Sequence, residues 1–158
     1  MTATSNEVLK CKYEEGRFRV EQRYMVNVPM SIVEDDKQNL WIGTASSFLY
    51  VLRKGDKAFS RFPVFSCYTF IPGLLPIGNG TILASAFYQP LKLVSADGTI
   101  SEPKVNIQDF ERCIQRSVFI PTDLYKDSSG NIWIGTVSNG LMLSLIHISE
   151  PTRRVVIS

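Results

Sequence analysis

The chain has 158 residues, of which 44% are hydrophobic and 20% charged, with a formal net charge of +2. That composition suits a globular fold with a core and lies far from the disordered regime. A balance so close to neutral gives no electrostatic ground for binding nucleic acid or an anionic membrane, which show as clustered Lys and Arg.

The opening stretch, MTATSNEVLKCKYEEG, lacks the charged and then apolar segments of an export signal, and no apolar run nears the ~20 residues that span a bilayer. The chain as written is therefore expected to be neither exported nor anchored, and to make no membrane contact. Residues 7–20 alternate apolar and polar side chains on either side of a Glu-Glu-Gly turn, the pattern of a β-hairpin.

Residues 26–33 read as a strand with Pro29 near its start, where a missing N–H is tolerable. A turn at 35–39 leads to strands at 40–44, 48–53 and 58–62, with Lys54-Gly55-Asp56 turning between the last two. Four strands and three turns make one propeller blade. A second set follows at 68–77 (broken by Pro72-Gly73), 81–87, 90–94 and 99–105, with Asn79-Gly80 as a strong hairpin signal. In residues 106–116, Ile107, Phe110 and Ile114 stand at helical spacing and suggest a loop carrying a helical turn. A third set begins at 117.

The sets are copies. DDKQNLWIGT, starting at Asp35, returns as DSSGNIWIGT, starting at Asp127, and from Trp41 to Trp133 is 133 − 41 = 92 residues. That is close to twice the ~40–45 residues of a propeller blade. A degenerate copy fits midway at 81–94, where Leu83 replaces Trp41 and Ser85 replaces Gly43. Turn glycines Gly16, Gly55 and Gly98 repeat the period, with spacings of 55 − 16 = 39 and 98 − 55 = 43. The expected fold is all-β: a fragment of a β-propeller, about three four-stranded blades in an open arc. Its expected parts are a blade remnant at 7–20, blades at 26–62 and 68–105, and the start of a blade at 117–143.

Within the repeated word, the carboxylate of Asp127 is expected to accept backbone N–H bonds, Gly130 to supply a left-handed conformation and Asn131 to lead into the strand. Trp133 should face one side of the sheet and Ile132 and Ile134 the other, filling the space between blades. Gly135 is expected where a neighbouring backbone comes close. Gln38 stands where Gly130 stands, so a need for positive φ there would cost the first copy about 1 kcal/mol.

These words resemble the two-component regulator propeller repeat, closely over 32–51 and 124–143 and weakly between. The resemblance implies that Asp35, Asn39, Trp41, Gly43 and Thr44 are structural positions of the repeat, as are Asp127, Gly130, Asn131, Trp133, Gly135, Thr136, Gly140 and Leu141. They would not be ligand contacts. It further implies a sensor region of a hybrid two-component regulator of the kind found in gut Bacteroidetes, located in the periplasm. The parent would be homodimeric, bind an oligosaccharide and control polysaccharide use through a histidine kinase absent from this chain. The same propeller fused to a diguanylate cyclase is the rival within signalling; a propeller lyase or hydrolase is the rival among enzymes.

Residues 143–153, LSLIHISEPTR, are similar to the translation of a transposase adapter used in sequencing libraries, so native sequence is expected to stop near Leu143 and 144–158 to be foreign. His147, the only histidine, lies in that tail. With it set aside the chain has no histidine to act as a general base or phospho-acceptor, and no catalytic residue, cofactor or metal site is expected. The adjacent carboxylates Asp35-Asp36 and Glu14-Glu15 read as solvated turn residues. Cys11, Cys67 and Cys113 show no metal spacing and read as half-buried thiols, with one bridge as the alternative. Phe87-Tyr88-Gln89, at a strand end, could stack on a sugar ring, with packing between blades as the competing reading.

Overall fold

The structure is a computed structural model that describes residues 6–103, 119–137 and 140–144. Among these residues there are strands and turns and no helix. In chain order they are β1 (Glu7–Glu14), β2 (Arg17–Met25), β3 (Pro29–Glu34), β4 (Leu40–Thr44), β5 (Phe48–Leu52), β6 (Ser60–Pro63), β7 (Gly73–Gly78), β8 (Thr81–Ser85), β9 (Lys92–Ser95), β10 (Ile100–Ser101), β11 (Pro121–Lys126), β12 (Ile132–Thr136) and β13 (Leu141–Ser144). The helical turn expected at 106–116, along with Cys113 and His147, lies outside the described residues.

Four antiparallel sheets result: β1-β2, β3-β4-β5-β6, β7-β8-β9-β10 and β11-β12-β13. The first strands of the later three sheets lie side by side, β3 against β7 and β7 against β11. Such an arrangement, sheets radiating from adjacent first strands, is the geometry of propeller blades. The sheets do not close into a ring among the described residues.

Alternation within each strand sends side chains to both faces, and both faces find a neighbour. On one face of the β3–β6 sheet, Trp41, Leu49 and Val51 meet Ile82, Ala84 and Val94 of the next sheet in one fully buried core. The opposite face of that second sheet, through Leu83 and Leu91, meets Leu124, Ile132 and Ile134, with Phe119 between. Each fully buried large aliphatic side chain contributes roughly 1.5–3 kcal/mol. The period-2 pattern therefore works as a double-sided adhesive.

Several boundaries differ from those expected. The hairpin continues to Met25 instead of stopping at 20, because the alternation persists through Tyr24, whose ring packs edge-on against Phe59. The first strand of the β7–β10 sheet starts at Gly73, so residues 68–72 belong to the crossing between sheets, where Ile71 N bonds Thr44 O. Pro29 opens β3 as its first residue. Cys11 and Cys67 are free and exposed, where half-buried thiols were expected: Cys11 lies on the uncovered hairpin and Cys67 in the crossing.

Candidate functional site

The repeated turn is built around one carboxylate. Asp35 Oδ1 accepts the backbone N–H groups of Lys37 and Asn39, both at 2.9 Å. Its Oδ2 accepts Asn39 Nδ2 at 2.9 Å and the indole Nε1 of Trp41 at 2.8 Å. Asp127 repeats the pattern with Ser129 N, Asn131 N, Asn131 Nδ2 and Trp133 Nε1, at 2.9, 2.9, 2.8 and 3.0 Å. The expected backbone bonds are present; the side-chain half of the cage was not foreseen. Its signal in the sequence is the shared spacing Asp-x₃-Asn-x-Trp, which sets three residue types around a single acceptor.

Asp35 is 5% exposed, so the reading of it as a solvated carboxylate is corrected. Burial pushes its pKa up, but the hydrogen bonds from Trp41, Asn39 and Lys37 outweigh that and hold it below the usual carboxylate range. The Asn131 side chain, then the Trp133 indole, lower Asp127 to about 2. Carboxylates held ionised by donors that complete their bonding are structural groups, poorly suited to proton transfer at neutral pH.

Asp36 turns the other way. Its carboxylate accepts the successive N–H groups of Asn79 and Gly80, both at 2.8 Å, across the boundary between sheets. The turn of the degenerate copy has no aspartate of its own, and the neighbouring sheet supplies one. Asp36 is exposed, as expected of a solvated turn residue, and is bonded across the boundary as well. Glu14 pairs with Lys12 at the exposed hairpin tip, and Glu15 sits in its turn at φ 50°.

Gln38 has φ 64° and Gly130 φ 85°, so the position does require the left-handed region. A Cβ on Gly43 would come within 2.3 Å of Ser31 Oγ and 2.5 Å of the Ile71 carbonyl oxygen, the close backbone approach expected for this position. At Gly135, where that approach was expected, the backbone stays at 3.9 Å and the near atom is instead a side chain, Thr122 Oγ1 at 2.9 Å. In the degenerate copy the exchange is reciprocal: Ser85 stands in the glycine position, and its partner across the strands, Gly73, gives up its side chain. A Cβ on Gly73 would meet Ser85 Oγ at 2.4 Å. Thr44 and Thr136 close the other ends of their strands, donating to Phe48 O and Gly140 O, each at 2.8 Å.

A surface that none of these bonds explains lies at the end of the sheets where the chain crosses from blade to blade. Tyr68 and Phe70 come from the crossing into β7, Phe87 and Tyr88 from the loop after β8. Phe87 N donates to Phe70 O, and Thr69 Oγ1 donates to Phe87 O, which locks the two segments together. The rings form a continuous row: Tyr68–Phe70 at 6.1 Å and 82°, Phe70–Phe87 at 5.3 Å and 44°, Phe87–Tyr88 at 6.3 Å and 71°. Tyr68 is 73% exposed and Tyr88 46%. Tyr88 is held at φ 59°, with its N–H on Phe119 O at 2.8 Å. Gln89 Nε2 reaches Cys67 Sγ at 3.2 Å beside the row. Sequence reasoning singled out Phe87 and Tyr88 and missed Tyr68 and Phe70, which only the strand pairing brings beside them. Among the described residues no group of His, Cys, Asp and Glu could hold a metal ion, and no helix is long and apolar enough to cross a membrane.

Comparison with known proteins agrees with this architecture. Residues 24–46 and 115–138, the segments that carry the two carboxylate cages, match the family described as two component regulator propeller. No curated protein matches the chain. Among solved structures, it is similar to the extracellular domain of the putative one component system BT4673 from B. thetaiotaomicron, with 23% identity and a TM-score of 0.56 over 85% of this chain. A second structure, of the extracellular domain of the putative hybrid two component system BT4673, gives the same values. The chain also resembles streptogramin B lyase, with 19% identity and a TM-score of 0.57 over 82% of its length. It spans 18% of the BT4673 domain and 45% of the lyase. Those two segments are similar to the two component regulator propeller, and the fold of the chain is an arc of β-propeller blades.

Proposed function

We propose that this arc is part of the ligand-sensing propeller of a hybrid two-component sensor that controls oligosaccharide or polysaccharide use, located in the periplasm and performing no catalysis itself. The observation that carries the proposal is the Asp-Asn-Trp cage, present twice within the segments that match the two component regulator propeller. In this reading the domains are a blade remnant at 7–20, blades at 26–62 and 68–105, and a further blade from 117 to 143. Residues 144–158 are adapter-derived and carry no function.

Ligand would dock at the propeller mouth or between domains, shift the arrangement of a homodimer and bias a kinase across the membrane. The carboxylate cages keep the turns of their two blades rigid, so that a local contact moves whole sheets instead of dissipating in a turn. The signature residues hold the scaffold, while ligand contacts come from loops at the sheet ends, with Phe87 and Tyr88 as the first candidates. Fold likeness to streptogramin B lyase supports a second reading, a lyase fragment. It is weakened by the chain's lack of any histidine outside 144–158.

Reading the genomic DNA past the codon for Leu143 tests the proposal. More repeats, then a β-sandwich, a membrane helix and a histidine kinase are expected. A cyclase in place of the kinase would move the output to cyclic nucleotide signalling. An enzyme that turns over substrate with no signalling domain would sink the sensor reading.

A further inference from the structure

The aromatic row is not required by the turn that carries it. In the first copy the positions aligned with Phe87 and Tyr88 are Ala45 and Ser46, and those small residues close the same loop. Both loops hold a non-glycine residue in the left-handed region, Ser47 at φ 62° in the first copy and Tyr88 at φ 59° in the second, but only in the β7–β10 sheet do two rings occupy the loop. Exposed aromatic area, gathered at one place and in one copy, points to a surface kept for contact.

The chemistry of that contact is restricted by charge. From Phe62 to Leu91 the sequence contains no Asp, Glu, Lys, Arg or His. A nucleotide or a sulfated or uronic saccharide would bring anionic groups to a segment with no cation to meet them, and burying such groups unpaired is costly. Exposed ring faces favour flat, apolar patches bordered by hydroxyls. The phenols of Tyr68 and Tyr88 and the amide of Gln89 place donors and acceptors at the border. Neutral pyranose sugars have both features, apolar C–H faces and equatorial hydroxyls. The row of rings, each about 5–6 Å from the next, offers stacking positions in series.

We infer that the Tyr68–Phe70–Phe87–Tyr88 shelf is a saccharide subsite selective for a neutral oligosaccharide over acidic ones. The inference rests on the sensor reading and narrows it to one surface and one ligand class. Phe70 and Phe87 form the inner, less exposed part of the shelf; Tyr68 and Tyr88 are its outer stacking faces, and Gln89 orients sugar hydroxyls.

The test uses the whole extracellular region that contains this arc. Calorimetry with neutral cello-, xylo-, manno- and malto-oligosaccharides, and with heparin- and polygalacturonate-derived oligosaccharides, is run on the wild type and on Tyr68→Ala, Tyr88→Ala, Tyr68→Phe and Tyr88→Phe. The expected result is binding of a neutral probe, weakened about tenfold or more by each alanine and less than about threefold by each phenylalanine, which keeps the ring. Tighter binding of an acidic probe overturns the ligand class. Neutral binding that both alanine variants retain overturns the shelf while leaving the sensor reading intact, as does protection of both tyrosines from nitration before sugar is added. If neutral sugar binds at the shelf and the linked kinase activity does not change, the sensor reading fails and the subsite stands.

Discussion

Asp35 and Asp127 each collect two backbone and two side-chain donors, and the indole N–H is the donor that ties turn to core. Trp41 is fully buried between sheets, so its ring packs whatever the turn does. Its Nε1 bond then fixes the turn to that packing. Trp41→Phe should keep most of the apolar contact and leave Asp35 Oδ2 one donor short. An unmet bond to a buried charged group costs about 1.5–3 kcal/mol. In the complete propeller, the Lys37 and Asn39 amides should exchange with solvent at least about tenfold faster, and unchanged protection would refute the link. For Asp127 the sign follows from a folded pKa of about 2 against an unfolded value near ~3.9. Its contribution is present above pH ~4 and fades as the pH falls toward 2. Asp127→Asn should flatten the acid limb of stability between those values, measured as denaturation midpoints from pH 5 to 2; an unchanged limb would exclude the cage as its source. Gln38→Gly, at φ 64°, should stabilise its turn by about 1 kcal/mol, seen as a raised denaturation midpoint.

At the scale of strands and turns, the degenerate copy keeps its shape through two substitutions made elsewhere. Its turn borrows the Asp36 carboxylate from the preceding sheet, and its missing glycine at 85 is offset by Gly73 on the paired strand. Asp36→Ala should therefore loosen the Asn79–Gly80 turn, with amide exchange there rising about tenfold, while the Asp35 cage one residue away stays protected. Equal loosening of both turns would mean the bond carries no separate weight. These two features mark where the sequence stops being legible. Periodicity and turn glycines located the strands of β3–β6 within a few residues, because alternation and φ > 0 are local properties. The 68–77 stretch misled because an uncharged apolar run fits a strand and a crossing between sheets equally, and only the pairing of Gly73 with Ser85 decides. Bonds such as Asp36 to Gly80 depend on how one sheet is placed on the next, which no local pattern encodes. The same holds for the shelf, since Phe70 and Phe87 are neighbours only after β7 and β8 pair.

For the molecule as a whole, the stacking that buries Trp41 and Leu83 leaves the outermost sheets without a partner. On the hairpin, Tyr13 and Phe18 stack on each other in solvent, with Phe18 76% exposed. On β3, Met30 and Ile32 are exposed beside a shallow cleft that Val8 and Ile42 also line. At the other extreme Tyr125 and Leu141 are exposed. A closed ring would give each of these faces another sheet, and closure also removes free strand edges, which otherwise recruit further chains. Among the described residues, only the β7–β10 sheet has both faces covered by neighbouring four- and three-stranded sheets. Cooperative stability should therefore centre on that sheet and fall toward both ends. Residues 1–158 expressed alone are expected to bind a hydrophobic dye, exchange fast in β1, β2 and β13, and associate as concentration rises, with slow exchange confined to Ile82–Ser85 and its partners. A sharp, reversible thermal transition from a monomer with uniform protection would show that the open arc suffices, and that the exposed faces do not need a ring to cover them.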